Sequence, residues 1–188
     1  LALQERQRSG LGQLVDVSLY DSGISLLHPH AGNWFMSGRT PGRSGNAHPN
    51  IYPYDSFATG TTPVFLAVGN DRQFRLLCEH LGCPQLVADE RFATAGQRSH
   101  HRDALKPLLE QALQASDGPA LADALMAIGV PAAPVLGVDA ALDHPHTRHR
   151  EMVVEMEGGY RGLGAPVKLS RTPASYRHAP LAEGDSFE

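Results

Sequence analysis

The sequence predicts an α/β fold in which short strands alternate with amphipathic helices. Three observations carry the prediction. A β-branched run, Leu14-Val-Asp-Val-Ser18, lies between two helical patterns. A second apolar run, Pro63-Val-Phe-Leu-Ala-Val68, leads through a turn into apolar residues at helical spacing, Phe74, Leu77, Cys78 and Leu81. Two more helical stripes follow and need a sheet to cover.

In chain order, Glu5 to Ser9 reads as a polar helix end, with Gly10 and Gly12 able to take the positive φ of a C-cap and turn. Leu14 to Ser18 is expected as a strand, and Ser18 or Asp21 caps an apolar helix through Ile24, Leu26 and Leu27. Residues 29–50 are rich in Gly and Pro and carry no periodicity, so they are expected as a linker or functional loop. Pro63 to Val68 is a strand, Gly69-Asn70-Asp71 a turn and N-cap, and the helix after it stops at Gly82. A helix after Ser99 places Leu105, Leu108, Leu109, Ala112 and Leu113 on one face. Another follows Asp117, with Pro119 in its first turn, Leu121, Ala124, Leu125 and Ile128 inward, and Gly129 at its end. Ala133 to Leu136 or Met152 to Met156 would supply further strands of the same sheet, and Val153-Val-Glu155 and Val167-Lys-Leu169 read as strands within a turn-rich tail.

Composition narrows the function. A net charge of −4 with interspersed signs leaves no basic face for a phosphate backbone, so nucleic-acid binding is not expected. No window approaches the eighteen apolar residues of a membrane span, and no signal peptide is recognisable. Fourteen arginines against two lysines suggest a GC-rich genome and a bacterial, cytoplasmic enzyme. Cys78 and Cys83 form a C-x4-C that offers at most two zinc ligands and reads as buried thiols. The histidine clusters His28-Pro-His30, His100-His101 and His144-Pro-His-Thr-Arg-His149 lack ligand spacing, so no metal site is expected.

Six segments share one pattern: Gln13-Leu-Val-Asp-Val-Ser18, Asn50-Ile-Tyr-Pro-Tyr-Asp-Ser-Phe57, Val68-Gly-Asn-Asp-Arg-Gln-Phe74, Asp89-Glu-Arg-Phe92, Gly129-Val-Pro-Ala-Ala-Pro-Val135 and Pro166-Val-Lys-Leu-Ser170. In that order they resemble the second half of a class III CoA-transferase, the family that also holds the α-methylacyl-CoA racemases. The resemblance implies an interlocked homodimer of a Rossmann-like large domain and a small α/β domain. It assigns residues 1–28 to the end of a large-domain segment, 29–50 to a linker and active-site loop, 51–135 to the small domain and 136–188 to a return linker. The implied activity moves CoA between carboxylic acids through an aspartyl intermediate, with acyl-CoA and a carboxylic acid as substrates and no other cofactor. A carboxylate suits that work because its anhydride is at least as reactive as the thioester, so the exchange is nearly isoenergetic.

In family members the aspartate precedes the segment corresponding to Leu1, so the nucleophile is expected upstream of this chain, which would then be inactive alone. Asp16 belongs to the strand pattern and Asp21 to a helix start, which argues against either as a substitute. The loop Gly45-Asn46-Ala47-His48-Pro49 resembles the mobile glycine-rich loop of formyl-CoA transferase-like members, which closes over the intermediate and excludes water. Here Ala47-His48-Pro49 replaces the run of glycines, so the segment is either a lid or an ordinary linker turn. Gly45, Asn46, Ala47, His48 and Arg43 are therefore the candidate substrate-binding residues, with His48 as a neutral donor. Arg39 and Arg43 suit CoA phosphates or an acyl carboxylate, or alternatively an interchain salt bridge. Tyr52 and Tyr54 are expected to pack at the domain junction, or to turn a hydroxyl toward the substrate. Two other readings stand beside the transferase: a racemase, which needs an acid/base pair about the α-carbon, and a non-catalytic structural piece, which would expose an apolar surface.

Overall fold

A computed structural model describes residues 1–180. Among the described residues, every buried apolar side chain of the core lies from Tyr52 to Val130, so the packing that fixes the site belongs to that stretch.

Its centre is a three-stranded antiparallel sheet of β1 (Tyr54–Phe57), β2 (Val64–Ala67) and β3 (Ala132–Pro134), with β2 in the middle. Asp55 stands opposite Leu66, and Leu66 opposite Ala132. Side chains alternate along β2, so Val64 and Leu66 are sealed in the core while Phe65 and Ala67 are half-buried. Strand β3 lies where Ala133 to Leu136 was expected, and β2 fills the Pro63 to Val68 run.

The preceding helices are α1 (Ala2–Ser9), α2 (Leu19–Ser25) and α3 (His30–Ser37), and none of them buries a residue. Gly10 closes α1 at φ 76°, and Ser18 caps α2 by accepting from the Asp21 amide. The expected strand at Leu14 to Ser18 is absent. Strand propensity needs a ladder partner, and this segment has none among the described residues; Leu14, Val15 and Val17 stand exposed. Residues 29–50 are not wholly irregular, because α3 occupies His30–Ser37. Its Gly32 and bounding Gly38 masked the helical signal.

Around the sheet lie α4 (Asp71–His80), α5 (Gln85–Ala88), α6 (Ala95–His100), α7 (Arg102–Leu113) and α8 (Gly118–Ala127). Helix α4 starts on a reciprocal cap: Asn70 accepts from the Gln73 amide, and the Gln73 side chain accepts from the Gly69 amide. Phe74, Leu77 and Cys78 are buried as the stripe predicts. Leu105, Leu109 and Leu113 are buried on α7, whereas Leu108 turns outward. On α8 Leu121, Ala122 and Leu125 are buried, and Ile128 is displaced to the surface where Gly129, at φ 85°, ends the helix. Gly118 opens α8 under close backbone, since a Cβ there would fall 1.9 Å from the Thr62 carbonyl oxygen.

After α9 (Val138–Asp143) and α10 (Pro145–His149), strands β4 (Val153–Glu155) and β5 (Arg161–Leu163) pair with each other in a separate hairpin. Met152 to Met156 therefore does not extend the core sheet. Val167 to Leu169 forms no strand, and Lys168 instead donates to the Glu151 carbonyl at 3.3 Å. The end of the tail, 181–188, lies outside the described residues.

Candidate functional site

The turn at 44–49 is built by backbone chemistry and then pinned from α7. The Ala47 amide donates to the Ser44 carbonyl at 3.1 Å, with Gly45 at φ 60° in the second position of the turn. Only a glycine takes that φ cheaply, and open space around its Cα shows that conformation, not crowding, demands it.

His48 folds back onto its own chain. Its Nδ1 accepts from the Asn50 amide at 3.1 Å and the Ile51 amide at 3.2 Å. A nitrogen that accepts cannot carry the proton, so the neutral ring holds it on Nε2 as a donor. The His48 amide donates to the Tyr54 carbonyl at 2.9 Å, and its ring lies 5.2 Å from that of Tyr54. Tyr54 in turn meets Phe65 edge-on at 5.5 Å. The Nδ1 edge of His48 is thus turned to its own backbone.

Sequence reading missed a ladder of cations, Arg98, Arg102 and Lys106, at successive four-residue spacing. All three reach toward residues 48–56, and each lies over an aromatic ring. Arg98 donates to the carbonyls of Tyr52 at 3.2 Å and Phe92 at 3.0 Å and to Asp71 at 2.7 Å, 4.5 Å over Phe74. Arg102 donates to the carbonyls of His48 at 3.2 Å and Pro49 at 3.0 Å and to Ser99, 5.6 Å from the Tyr52 ring. Lys106 pairs with Asp55 at 2.8 Å and donates to the Ser56 carbonyl at 2.9 Å, 4.7 Å over Phe57. Guanidinium forks can hold two carbonyls at once, which explains arginine at the two rungs that bridge separate chain segments. The four-residue spacing was the available signal, but polar residues at a helical period look like a solvated face.

Between this ladder and the linker is a cleft of about 470 Å³ lined by His30, Arg43, Ala47, Tyr52, Arg102 and Lys106, among others. Of the five predicted substrate-binding residues, Arg43 and Ala47 border it; Gly45, Asn46 and His48 shape the adjoining turn without lining the cleft. Arg43 and Arg39 are exposed and make no ion pair among the described residues. Burial, with lesser contributions from Asp55 and Glu110, pushes the Tyr52 phenol above its ordinary 10.0, so it stays a neutral O–H. Asp16 is exposed in an irregular segment, and Asp21 is exposed on α2, which buries nothing.

The two cysteines are free and buried. A hydrogen bond from Cys78 to Cys83, and then burial, raise the Cys78 thiol, while the same bond lowers Cys83. Among the described residues no three His, Cys, Asp or Glu side chains converge on a metal position, and no helix is long and apolar enough to cross a membrane.

CoA-transferase family III matches residues 1–186. The chain belongs to this family. Among its curated relatives, acetyl-CoA:oxalate CoA-transferase of Acetobacter aceti is 37% identical over 90% of the chain and 43% of that protein. Succinyl-CoA:mesaconate CoA-transferase of Haloarcula marismortui is 35% identical over the whole chain and 48% of its own length. The chain thus spans about half the length of the curated relatives it matches. A solved CaiB/BaiF family protein from Brucella suis superposes with a TM-score of 0.73 at 38% identity, covering 91% of this chain and 45% of that one. A Mycobacterium tuberculosis protein reaches 0.78 at 24% identity, a likeness of fold alone. Along α2 and α3, Leu19, Tyr20, Phe35 and Met36 are exposed, as is Leu26 just after α2.

Proposed function

We propose that this chain serves an enzyme that moves coenzyme A from an acyl-CoA to a carboxylic acid, with the thioester as substrate and no further cofactor. The observation that carries the reading is the family match over residues 1–186, joined to relatives named as CoA-transferases. In this reading a carboxylate attacks the thioester carbonyl and releases CoA thiolate as the mixed anhydride forms. The thiolate then attacks the enzyme's acyl carbon, freeing the donor acid, and the acceptor acid collects the CoA through the reverse pair of steps. No aspartate of this chain is assigned the attack.

The role left to the 43–48 turn is to cover such intermediates and exclude water. Its support is the local build: Gly45 at positive φ sets the turn, Arg102 holds the His48 and Pro49 carbonyls, and His48 presents Nε2–H as a neutral donor to an acyl oxygen. We assign residues 1–28 to the end of a large domain, 29–50 to the linker, 51–135 to the small domain and 136–188 to the return. The assembly is a cytoplasmic homodimer in which a partner surface covers α2 and α3.

The test is the ratio of CoA transfer to thioester hydrolysis in the intact enzyme carrying this chain, for the parent and for His48→Ala. Transfer should fall about tenfold relative to hydrolysis on losing one neutral donor. An unchanged ratio removes the turn from the reaction.

A further inference from the structure

Both cysteines of the chain stand where α4 ends and the backbone turns back on itself. The Cys83 amide donates to the Cys78 carbonyl at 2.9 Å, and the Gly82 amide, at φ 67°, donates to the Glu79 carbonyl at 3.2 Å. This nested pair of bonds closes the helix and folds the sixth residue over the first. The 2.9 Å bond keeps the two Cα atoms within about 7 Å, the reach of a disulfide. The side chains meet as well, since the Cys78 thiol donates to the Cys83 sulfur. Packing alone does not ask for sulfur at both positions, because any apolar pair makes the contact that accompanies such a helix end.

The two sulfurs differ in access. Cys78 is sealed at 0% exposed, whereas Cys83 keeps 6% and borders a cleft of about 290 Å³ between the α4–α5 turn and α7. Leu81, Leu86, Leu108 and Ala112 make most of its wall, and no charged side chain lines it. A small neutral oxidant therefore enters more readily than an anionic one. Accepting the Cys78 hydrogen bond also lowers the Cys83 thiol and favours the reactive thiolate, while the same bond keeps Cys78 protonated.

We propose that Cys78 and Cys83 are an oxidation site for hydrogen peroxide, in which Cys83 meets the peroxide in the cleft and Cys78 resolves the product as a disulfide. The Cys83 thiolate attacks one peroxide oxygen and breaks the O–O bond. The hydroxide released takes up the thiol's proton and leaves as water, and Cys83 becomes a sulfenic acid. The Cys78 sulfur then displaces the sulfenic hydroxyl, which departs with the Cys78 proton as a second water as the S–S bond forms. The two thiols give up two electrons in all, and the peroxide gains them. The disulfide staples the end of α4 to the turn that follows. The site shares no residue with the cleft beside the 44–49 turn and rests on none of the reading of CoA transfer.

The experiment treats the intact folded protein with hydrogen peroxide, blocks the remaining thiols with N-ethylmaleimide in denaturant, and reads the tryptic peptide from Leu76 to Arg91, which carries both cysteines. That peptide should lose its two alkylation sites together and weigh two hydrogens less, and dithiothreitol should restore both. In Cys78→Ala, dimedone should trap Cys83 as its sulfenic acid. In Cys83→Ala, Cys78 should oxidise at least about tenfold more slowly than Cys83 does in Cys78→Ala. The parent peptide decides the pairing without either variant. Two thiols still open to alkylation at peroxide levels that oxidise free glutathione overturn the proposal. A peptide carried to sulfinic acid without an internal disulfide, or cross-linked to another chain, overturns it too. Dimedone on Cys78 in Cys83→Ala, with none on Cys83 in Cys78→Ala, overturns the roles assigned to the two sulfurs.

Discussion

Replacing Arg98 with methionine removes the buried end of the cation ladder while keeping most of its volume. Arg98 is fully buried, and its guanidinium satisfies the carbonyls of Tyr52 and Phe92, residues themselves sealed from solvent. Its third partner, Asp71, has a side chain 54% exposed, so that carboxylate regains water when the arginine leaves. The cost therefore falls on the two carbonyls, at about 1–2 kcal/mol each when left unpaired. Loss of the guanidinium over Phe74 adds about 1 kcal/mol. The expected destabilisation is about 3–5 kcal/mol, a large part of a small domain's total. Arg98→Lys should recover less than half of it, since one ammonium cannot reach carbonyls six and forty-six residues away together. Asp71→Asn should cost no more than about 1 kcal/mol, because the pair is half solvated. Urea unfolding of the intact protein, with unchanged slopes, measures all three. A methionine variant within about 1 kcal/mol of the parent, or an Asp71→Asn loss equal to it, would refute the placing of the energy in the carbonyls.

Three other outcomes follow from neighbouring geometry. Gly118→Ala should destabilise by more than about 2 kcal/mol in the same unfolding assay, because backbone at Thr62 cannot yield; Gly45→Ala, with open space and only φ against it, should cost about 1 kcal/mol. Arg102→Met should release the 44–49 turn and speed hydrogen exchange at the amides of Ala47 and His48 about tenfold without lowering protection on β2. Burial raises the folded-state Tyr52 pKa above its unfolded value, so its contribution is intact below pH 10.0 and is lost as pH rises beyond it. Unfolding midpoints followed from about pH 8 to pH 11 should fall more steeply for the parent than for Tyr52→Phe; parallel curves would contradict that burial cost.

The helices α4, α7 and α8 were legible in the sequence because their signals are local: an apolar stripe in all three, joined in α4 and α8 by a capping residue and a terminal glycine. Strand β2 was legible for the same reason. The Leu14 to Ser18 strand failed because pairing is not a local property, and nothing in the described residues lies alongside to accept its backbone groups. Helix α3 escaped notice because Gly32 within it weakens the helical signal and its apolar residues Trp34, Phe35 and Met36 remain exposed. The turn residues Gly45 and His48 were visible as residue types in a linker. The rungs that hold them were not, since Arg102 acts on carbonyls fifty-three and fifty-four residues away and backbone acceptors leave no mark on the sequence. Tyr52 looks like junction packing in the sequence, and the structure seals it in the core beside the cleft.

The most direct measurement is CoA exchange by the intact enzyme carrying this chain. Acetyl-CoA or succinyl-CoA is offered with a panel of carboxylic acids, and every thioester formed is identified by mass spectrometry. The account predicts a new acyl-CoA matching one of the acids, with the donor's free acid released in equal amount. Hydrolysis without a new thioester across the panel, or epimerisation of a 2-methylacyl-CoA in place of exchange, would contradict it.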